Sequence, residues 1–219
     1  GTHAKLANVV LATLTAPGQV SMASELPLQV YDDHSNVINN QIFGMDGDPR
    51  APGESNLYGN IGYSQTDFKA SATTNEMDSD LFVATFGGDV RYSDHVSVGA
   101  AVSVGSSDGD TGGASIGGTE VLASAYGIGH FGSGYVDAIL SYGSNSLSID
   151  RSIVLGAATR IETGSTNASH AAAELGAGFT FGSDTFKHGP FVSWTWQEVA
   201  VDGYAEDALS EGQARVPNS

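Results

Sequence analysis

Residues 57 to 201 form a series of segments in which apolar and polar side chains alternate with a period of two. In one of them, Phe82, Phe86 and Val90 share one parity, whereas Thr85 and Asp89 share the other. Such alternation predicts β-strands with one apolar and one polar face. About seven such segments can be counted, near residues 56–68, 80–92, 95–105, 119–131, 134–147, 168–182 and 188–202.

The connections between these segments alternate in length. The short ones are tight turns at 92–95, 131–134 and 182–185. The long ones are polar stretches at 69–79, 105–119 and 147–168. Short turns at one end and long loops at the other are typical of outer-membrane barrels, and the segments suit the roughly 9–11 residues of a tilted crossing. The pattern predicts an all-β fold, an antiparallel up-and-down transmembrane β-barrel that is partial, with about seven strands.

The composition excludes several other classes of protein. Only 15% of the 219 residues are charged, and the formal net charge is -17. This charge argues against nucleic-acid partners, because their binding depends on neutralising phosphates with Lys and Arg. There is no cysteine, so neither disulfides nor thiolate metal sites can form. The acidity fits a saline source or loops that bind divalent cations, and both readings stay open.

Two helices are predicted before the strands. His3–Leu14 places Leu6, Val10 and Leu14 on one face, and Pro17 with Gly18 is expected to end that helix. A second helix is predicted from Ser21 to about Ile42, with Pro27 in its first turns. Its middle is rich in Asp, Asn, His, Ser and Gln. A helix this polar either faces water or occupies a polar lumen, so it is a candidate linker or plug.

The strand faces opposite the apolar ones are expected to point inward. They carry Asn60, Asp89, Arg91, Asp137, Glu174 and Glu198. On the barrel interpretation these side chains can hydrogen-bond to the polar helix; the alternative is a solvated lumen, equally favoured. The expected contacts between lumen and plug are Asp32, Asp33, Asn36, Asn39, Asn40, Asp89, Arg91, Asp137 and Glu174.

No catalytic, cofactor-binding or metal-ligating residue is assigned. The chain has no Gly-x-Ser-x-Gly or Gly-Asp-Ser motif, and its histidines are scattered. The acidic stretches 46–48, 78–80 and 107–113 offer oxygen ligands of the kind that Ca²⁺ prefers, but none matches a known calcium loop. Solvated loop acids are the favoured interpretation.

Three stretches resemble GDSL-type esterase/lipase autotransporters. Residues 6–17, Leu-Ala-Asn-Val-Val-Leu-Ala-Thr-Leu-Thr-Ala-Pro, are similar to the end of the passenger domain of that family. Residues 122–126 and the stretch from Phe191 to Tyr204 are similar to strands of its barrel. The resemblance implies three parts: 1–16 as the end of a passenger helix, 17–55 as the linker helix and loop into the lumen, and 56–219 as an incomplete barrel. It also implies an outer-membrane location with loops and passenger at the cell surface, and as partners outer-membrane lipid, the barrel-assembly machinery and the chain's own passenger.

The departures from that family limit what the resemblance implies. His3 matches a second, non-catalytic histidine, and the family's Gly-Asp-Ser block and catalytic Asp-x-x-His have no counterpart here. Activity as a carboxylic-ester hydrolase is therefore implied only for the parent protein. Family barrels have about a dozen strands, so we expect this chain to be a truncated translocator. The alternatives are a non-transporting barrel resembling a porin or adhesin, and a soluble β-sandwich binding module.

Overall fold

The computed structural model describes residues 17–45, 49–69, 76–111, 114–155, 158–183, 186–202 and 205–206. One helix precedes the strands: α1 spans Pro17–Gly44. The strands are β1 Ser55–Phe68, β2 Met77–Ser93, β3 Val96–Thr111, β4 Ala114–Phe131, β5 Gly134–Leu155, β6 Ala158–Phe179, β7 Phe181–Ser183, β8 Phe186–His188, β9 Phe191–Val201 and β10 Ala205–Glu206. The predicted helix over His3–Leu14 lies outside the described residues.

The strands form an antiparallel up-and-down sheet, as predicted. Its order is β1-β2-β3-β4-β5-β6, and β9 and β10 pair with successive stretches of β6. Seven long strands build the wall, whereas β7 and β8 form a separate two-stranded hairpin. In the described part of the chain, β1 pairs with β2 alone and β9 with β6 alone, so the barrel is not closed.

Two of the three predicted long loops are wrong. Residues 105–119 and 147–168 continue their strands as paired hairpin arms, with Thr111 opposite Ala114 and Leu155 opposite Ala158. The physical reason is that apolar residues continue beyond the predicted ends on the opposite parity: Ile116 of β4 and Leu147 and Ile149 of β5 are buried, whereas Val121 and Leu140 are exposed. The predicted turn at 182–185 falls in the β7–β8 hairpin rather than between two wall strands. The turn at 131–134 is confirmed. Gly132 in this turn has a φ of +66°, a backbone conformation that residues other than glycine rarely adopt.

The outer face of the sheet is apolar and uncovered. Phe86 is 66% exposed and Leu140 is 61% exposed, whereas their inward-facing neighbours Thr85 and Ser141 are buried. Among the described residues no second layer packs on these outer side chains, which argues against a β-sandwich. The alternation predicted from the sequence therefore places its apolar face outward.

The two faces of β5 exchange their polarity along the strand. On β5 the outer face carries Leu140 and Tyr142 and then turns to Ser144, while Leu147 and Ile149 point inward and are buried. These inner side chains pack with Leu26 of α1, with Ile116 and Ala168 completing the cluster. An apolar outer band with polar residues beyond it is what a strand crossing a lipid layer and continuing into water requires.

Helix α1 lies against the concave, inward face of the sheet. It extends beyond both predicted ends, and Pro27 is inside the helix rather than in its first turns. Pro27 has no amide hydrogen to donate, so one helical hydrogen bond is missing at that point. Val30 reaches the sheet at Gly105, where a Cβ would lie 2.6 Å from Val30 Cγ1. Across the described residues, no helix has both the length and the apolar character needed to span a membrane.

Candidate functional site, the polar contact between helix and sheet

One face of α1 is buried against the sheet and the other is open. The buried residues recur at helical spacing: Leu26, Val30, Tyr31, His34, Ser35, Ile38 and Ile42. The opposite side carries the exposed residues Asp32, Asn36, Asn40 and Phe43. Because hydroxyl and imidazole groups are part of the buried face, the contact is polar at its centre and apolar at its two ends.

His34 joins the helix to four strands through hydroxyl groups. Its Nδ1 lies 2.5 Å from Ser103 Oγ and its Nε2 lies 2.5 Å from Ser124 Oγ. Ser103 Oγ is in turn 2.5 Å from Thr85 Oγ1, and Ser124 Oγ is 2.6 Å from Ser141 Oγ. A neutral imidazole donates from one ring nitrogen and accepts at the other, so both neighbours are satisfied. The resulting chain of hydrogen bonds crosses β2, β3, β4 and β5.

Glu174 of β6 is the acceptor for three donors of the helix. Tyr31 donates its hydroxyl to Oε1 at 2.5 Å, and Ser35 donates to the same oxygen at 2.6 Å. Asn39 donates from Nδ2 to Oε2 at 3.2 Å. These donors occupy successive turns of α1, so a single carboxylate fixes both the rotation of the helix about its axis and its position along the axis. Hydrogen bonds to an ionised acceptor are roughly twice as strong as neutral ones.

Asp89 of β2 holds the C-terminal end of the helix and the segment that follows it. Gln41 donates to Oδ2 at 3.3 Å, and Asn56 of β1 lies at 3.5 Å from the same oxygen. Arg50, in the connection between α1 and β1, forms an ion pair with Oδ1. The side chain of Asp89 is fully buried, so this pairing compensates a charge that would otherwise be costly to remove from water.

The residues expected as contacts between lumen and plug take different positions. Asn39, Asp89 and Glu174 lie at the interface described above. Asn36, Asn39 and Asn40 line a cavity of about 290 Å³ together with Asp137 and Glu174.

The other expected residues are placed elsewhere. A Cβ on Gly62 of β1 would lie 3.6 Å from Asp33 Oδ2, so Asp33 faces that strand. Asp32 is on the exposed side of the helix. Arg91 donates to the backbone oxygen of Asp94 in the β2–β3 turn.

Glu198 does not face the lumen, contrary to expectation. It pairs with Ala171 and shares the outer face with Trp194 and Trp196. Both parities of β9 carry apolar residues, and the pairing places Val199 on the inner cluster with Leu26.

The contacts expected from the sequence did not include Tyr31, His34 and Ser35, whose side chains form hydrogen bonds between the helix and the sheet. A signal was available, because these three share one helical face with Val30 and Ile38.

These features define a class of protein. A wall of long antiparallel strands has an apolar outer band, and a polar helix is bound to its inner face, which describes a translocator-type membrane β-barrel. The profile of the autotransporter β-domain family matches residues 57–216, so the chain belongs to that family. Membership of this family implies a location in the outer membrane.

The fold agrees with a solved structure. The translocator domain of the autotransporter NalP from Neisseria meningitidis superimposes with a TM-score of 0.64 at 18% sequence identity. The match covers 80% of this chain and 62% of that one, so the present chain spans less than two thirds of its length. A comparison with curated proteins found no match.

Proposed function

We propose that the chain anchors and secretes a passenger domain that precedes it, with α1 as the linker that remains in the lumen and plugs it. The observation that carries this proposal is the convergence of three helix donors on Glu174. The many polar side chains of α1 are unsuited to lipid, and they find hydrogen-bond partners inside such a wall, where polar groups must be satisfied internally. The corresponding parts are the end of the passenger over 1–16, the linker over 17–55 and the barrel over 56–219.

The plug role is tested by ion conductance across planar lipid bilayers. Glu174→Ala removes the acceptor of Tyr31, Ser35 and Asn39, so the helix should leave the lumen more often and the full-length protein should show larger and more frequent open events. Glu198→Ala is the matched control, because this carboxylate lies on the outer face of β9. Equal conductance of the E174A protein and the unmodified protein would remove the support for a plug.

Outer-membrane lipid and the barrel-assembly machinery are the proposed partners of the wall. The support is the exposed apolar band, which includes Phe86 and Leu140. Depletion of the assembly machinery should leave the protein unfolded and sensitive to protease. Unchanged folding after depletion would contradict this partner.

We further infer that the passenger is a GDSL-type esterase or lipase. The support is the resemblance of residues 6–17 and of Phe191–Tyr204 to that family. Intact cells that express the complete reading frame should hydrolyse short-chain nitrophenyl esters at their surface, and the activity should disappear when the upstream nucleophilic serine is replaced. A frame whose upstream part lacks a Gly-Asp-Ser block would contradict the esterase assignment and leave the translocator assignment intact.

A further inference from the structure

The β7–β8 hairpin extends the wall at one end. Phe179 donates its amide to the Pro190 oxygen at 3.1 Å, and Phe181 is then paired with His188, so the hairpin is in line with the pairing of β6 and β9. The next amide, that of Thr180, donates to a backbone oxygen of the β4–β5 turn at 2.7 Å. The β4–β5 turn therefore ends near this level. The three residues of β7 carry the hairpin about 10 Å further, at about 3.4 Å per residue.

The two faces of the hairpin differ in chemistry. In an antiparallel pair, directly opposite residues share a face, and successive residues alternate between the faces. Phe181, Phe186 and His188 therefore lie on one face, whereas Gly182 and Lys187 lie on the other. The centroid of the His188 ring is 5.2 Å from that of Phe186 and 6.4 Å from that of Phe181. We call Phe181, Phe186 and His188 the aromatic face of the hairpin.

The aromatic face continues the apolar outer face of the wall. Phe179 belongs to that outer face, and its ring stacks on that of Phe181 at a centroid distance of 6.1 Å, with 6° between the planes. Phe181 and Phe186 are both exposed, the latter by 68%. At the opposite end of the wall the outer face of β2 becomes acidic at Asp80 and Asp78, as expected of a surface in water. The hairpin end keeps its aromatic character instead.

An apolar groove adjoins the hairpin on the outer face. The small side chain of Ala177 lies between Val136 of β5 and Val192 of β9, which are directly opposite it on the two neighbouring strands. Together with Phe131 and Phe179 these residues line a groove of about 310 Å³. None of these five side chains has a polar atom, so hydrocarbon fits the groove better than a polar segment does.

The position of this surface points to lipid as its partner. The hairpin is at the end of the wall where tight turns join β2 to β3 and β4 to β5, which is the periplasmic end of an outer-membrane barrel. Aromatic rings are enriched where the hydrocarbon of a membrane meets its head groups. The head-group layer on each side is about 5–7 Å thick, so a hairpin that reaches about 10 Å further passes through it.

We propose that the aromatic face and the groove form one docking surface for phospholipids of the periplasmic leaflet. An acyl chain lies in the groove, and the rings of Phe181, Phe186 and His188 lie among the head groups next to it. Gly182 and Lys187, on the other face of the hairpin, point away from the lipid. This inference rests on the contact between the wall and outer-membrane lipid proposed above, and it adds a fixed lipid site to that contact.

The first test compares the two faces of the hairpin by tryptophan fluorescence of the full-length protein in proteoliposomes. Trp194→Phe and Trp196→Phe together remove the native signal, and Phe186→Trp or Lys187→Trp then supplies one reporter on either face. A phospholipid brominated near its head group should quench the Phe186→Trp reporter several-fold more than the Lys187→Trp reporter, which is the matched control on the adjacent residue. Acrylamide in the water should give the reverse order. Equal or reversed quenching by the lipid would overturn the proposal, and so would protection of both reporters from both quenchers, because protein would then cover the hairpin.

A second measurement uses the unmodified protein and the depth that the strand register defines. Val96 of β3 is opposite Gly129, which is opposite Val136, so Val96 is in the same row of the outer face as Val136 and Val192 but outside the groove. A phospholipid with a photoreactive diazirine in its acyl chain should label Val192 several-fold more than Val96, as located by mass spectrometry. The same probe with the diazirine near the glycerol should label the aromatic face. Equal labelling of Val192 and Val96, or an unlabelled aromatic face, would overturn the proposal without any variant.

These outcomes can be told apart from a failure of the contact between wall and lipid. If lipid-borne bromine quenches Trp194 and Trp196 in the unmodified protein while neither hairpin nor groove shows the expected preference, the wall faces lipid and only the docking surface is refuted. If the native tryptophans are not quenched either, the contact proposed for the wall fails as well.

Discussion

At the scale of single residues, the inner face of the wall pairs tyrosine with glycine. Tyr58 is directly opposite Gly87, Tyr126 is opposite Gly99, and Tyr135 is opposite Gly178. Each ring lies over the glycine of the neighbouring strand, so that a Cβ there would collide with it. Glycine is otherwise unfavourable inside a strand, and the room that these rings require explains its use here.

The pairing makes a prediction about Gly99→Ala. The added methyl group would overlap the ring of Tyr126 and force it to move, at a cost of about 1–3 kcal/mol typical of overpacking. The measurement is the free energy of unfolding by urea in detergent micelles. Gly129→Ala is the matched control, since no atom lies within 4 Å of its Cβ, and it should be neutral or slightly stabilising. Equal effects of the two substitutions would contradict the packing argument.

At the scale of elements, the hairpin arms extend the sheet beyond its apolar band. The outer face of β2 changes from Phe86 and Phe82 to Asp80 and Asp78, and the facing strand β3 changes to Asp108 and Asp110. The register sets Asp78 opposite Asp110 on one side and opposite Asp67 of β1 on the other. Like charges directly opposite each other destabilise a sheet.

We therefore expect Asp78→Asn to stabilise the protein. It removes one partner from two repulsive pairs, each worth about 0.2–1 kcal/mol at low ionic strength. The gain should shrink in 1 M salt, where screening acts over about 3 Å. The urea midpoint at both salt concentrations measures it. Asp150→Asn is the control, because its cross-strand neighbours are Ser115 and Thr163, and a gain of equal size there would argue against repulsion at Asp78.

At the scale of the whole molecule, the wall has two chemically different faces. On the inner face, the polar groups of the helix and of the hydroxyl-rich strands form hydrogen bonds with each other. On the outer face, the apolar band is left uncovered. A wall in lipid must also pair the outer edges of β1 and β9, because unpaired backbone groups are very costly there. We therefore expect the architecture to depend on contact with lipid.

Both tryptophans of the chain are placed to test the expected contact with lipid. Trp194 and Trp196 lie on the outer face of β9 and are about half exposed. In proteoliposomes we expect lipids with brominated acyl chains to quench most of the tryptophan fluorescence, and a water-soluble quencher such as acrylamide to have little effect. Strong quenching by acrylamide together with none by the brominated lipid would show that this face is in water.

The sequence alone determined that there are about seven wall strands, two of the three predicted tight turns, and which face of most strands is apolar. The reason is that alternation is a local property, readable wherever one parity is consistently apolar, as in β2 around Phe86. Where both parities are apolar, as in β9, the direction of Glu198 depended on pairing with β6. The strands of the hairpin arms were missed because their apolar residues change face at Leu147, on leaving the outer band.

Only the tertiary structure decided which polar groups meet. The helix was recognisably polar, but its partners lie far away in the chain: His34 reaches Ser103 and Ser124, and Glu174 gathers donors from three turns of α1. These contacts depend on strand register and on the rotation of the helix in the lumen. Neither is a local property, because both are fixed by the simultaneous packing of many side chains that are distant in sequence.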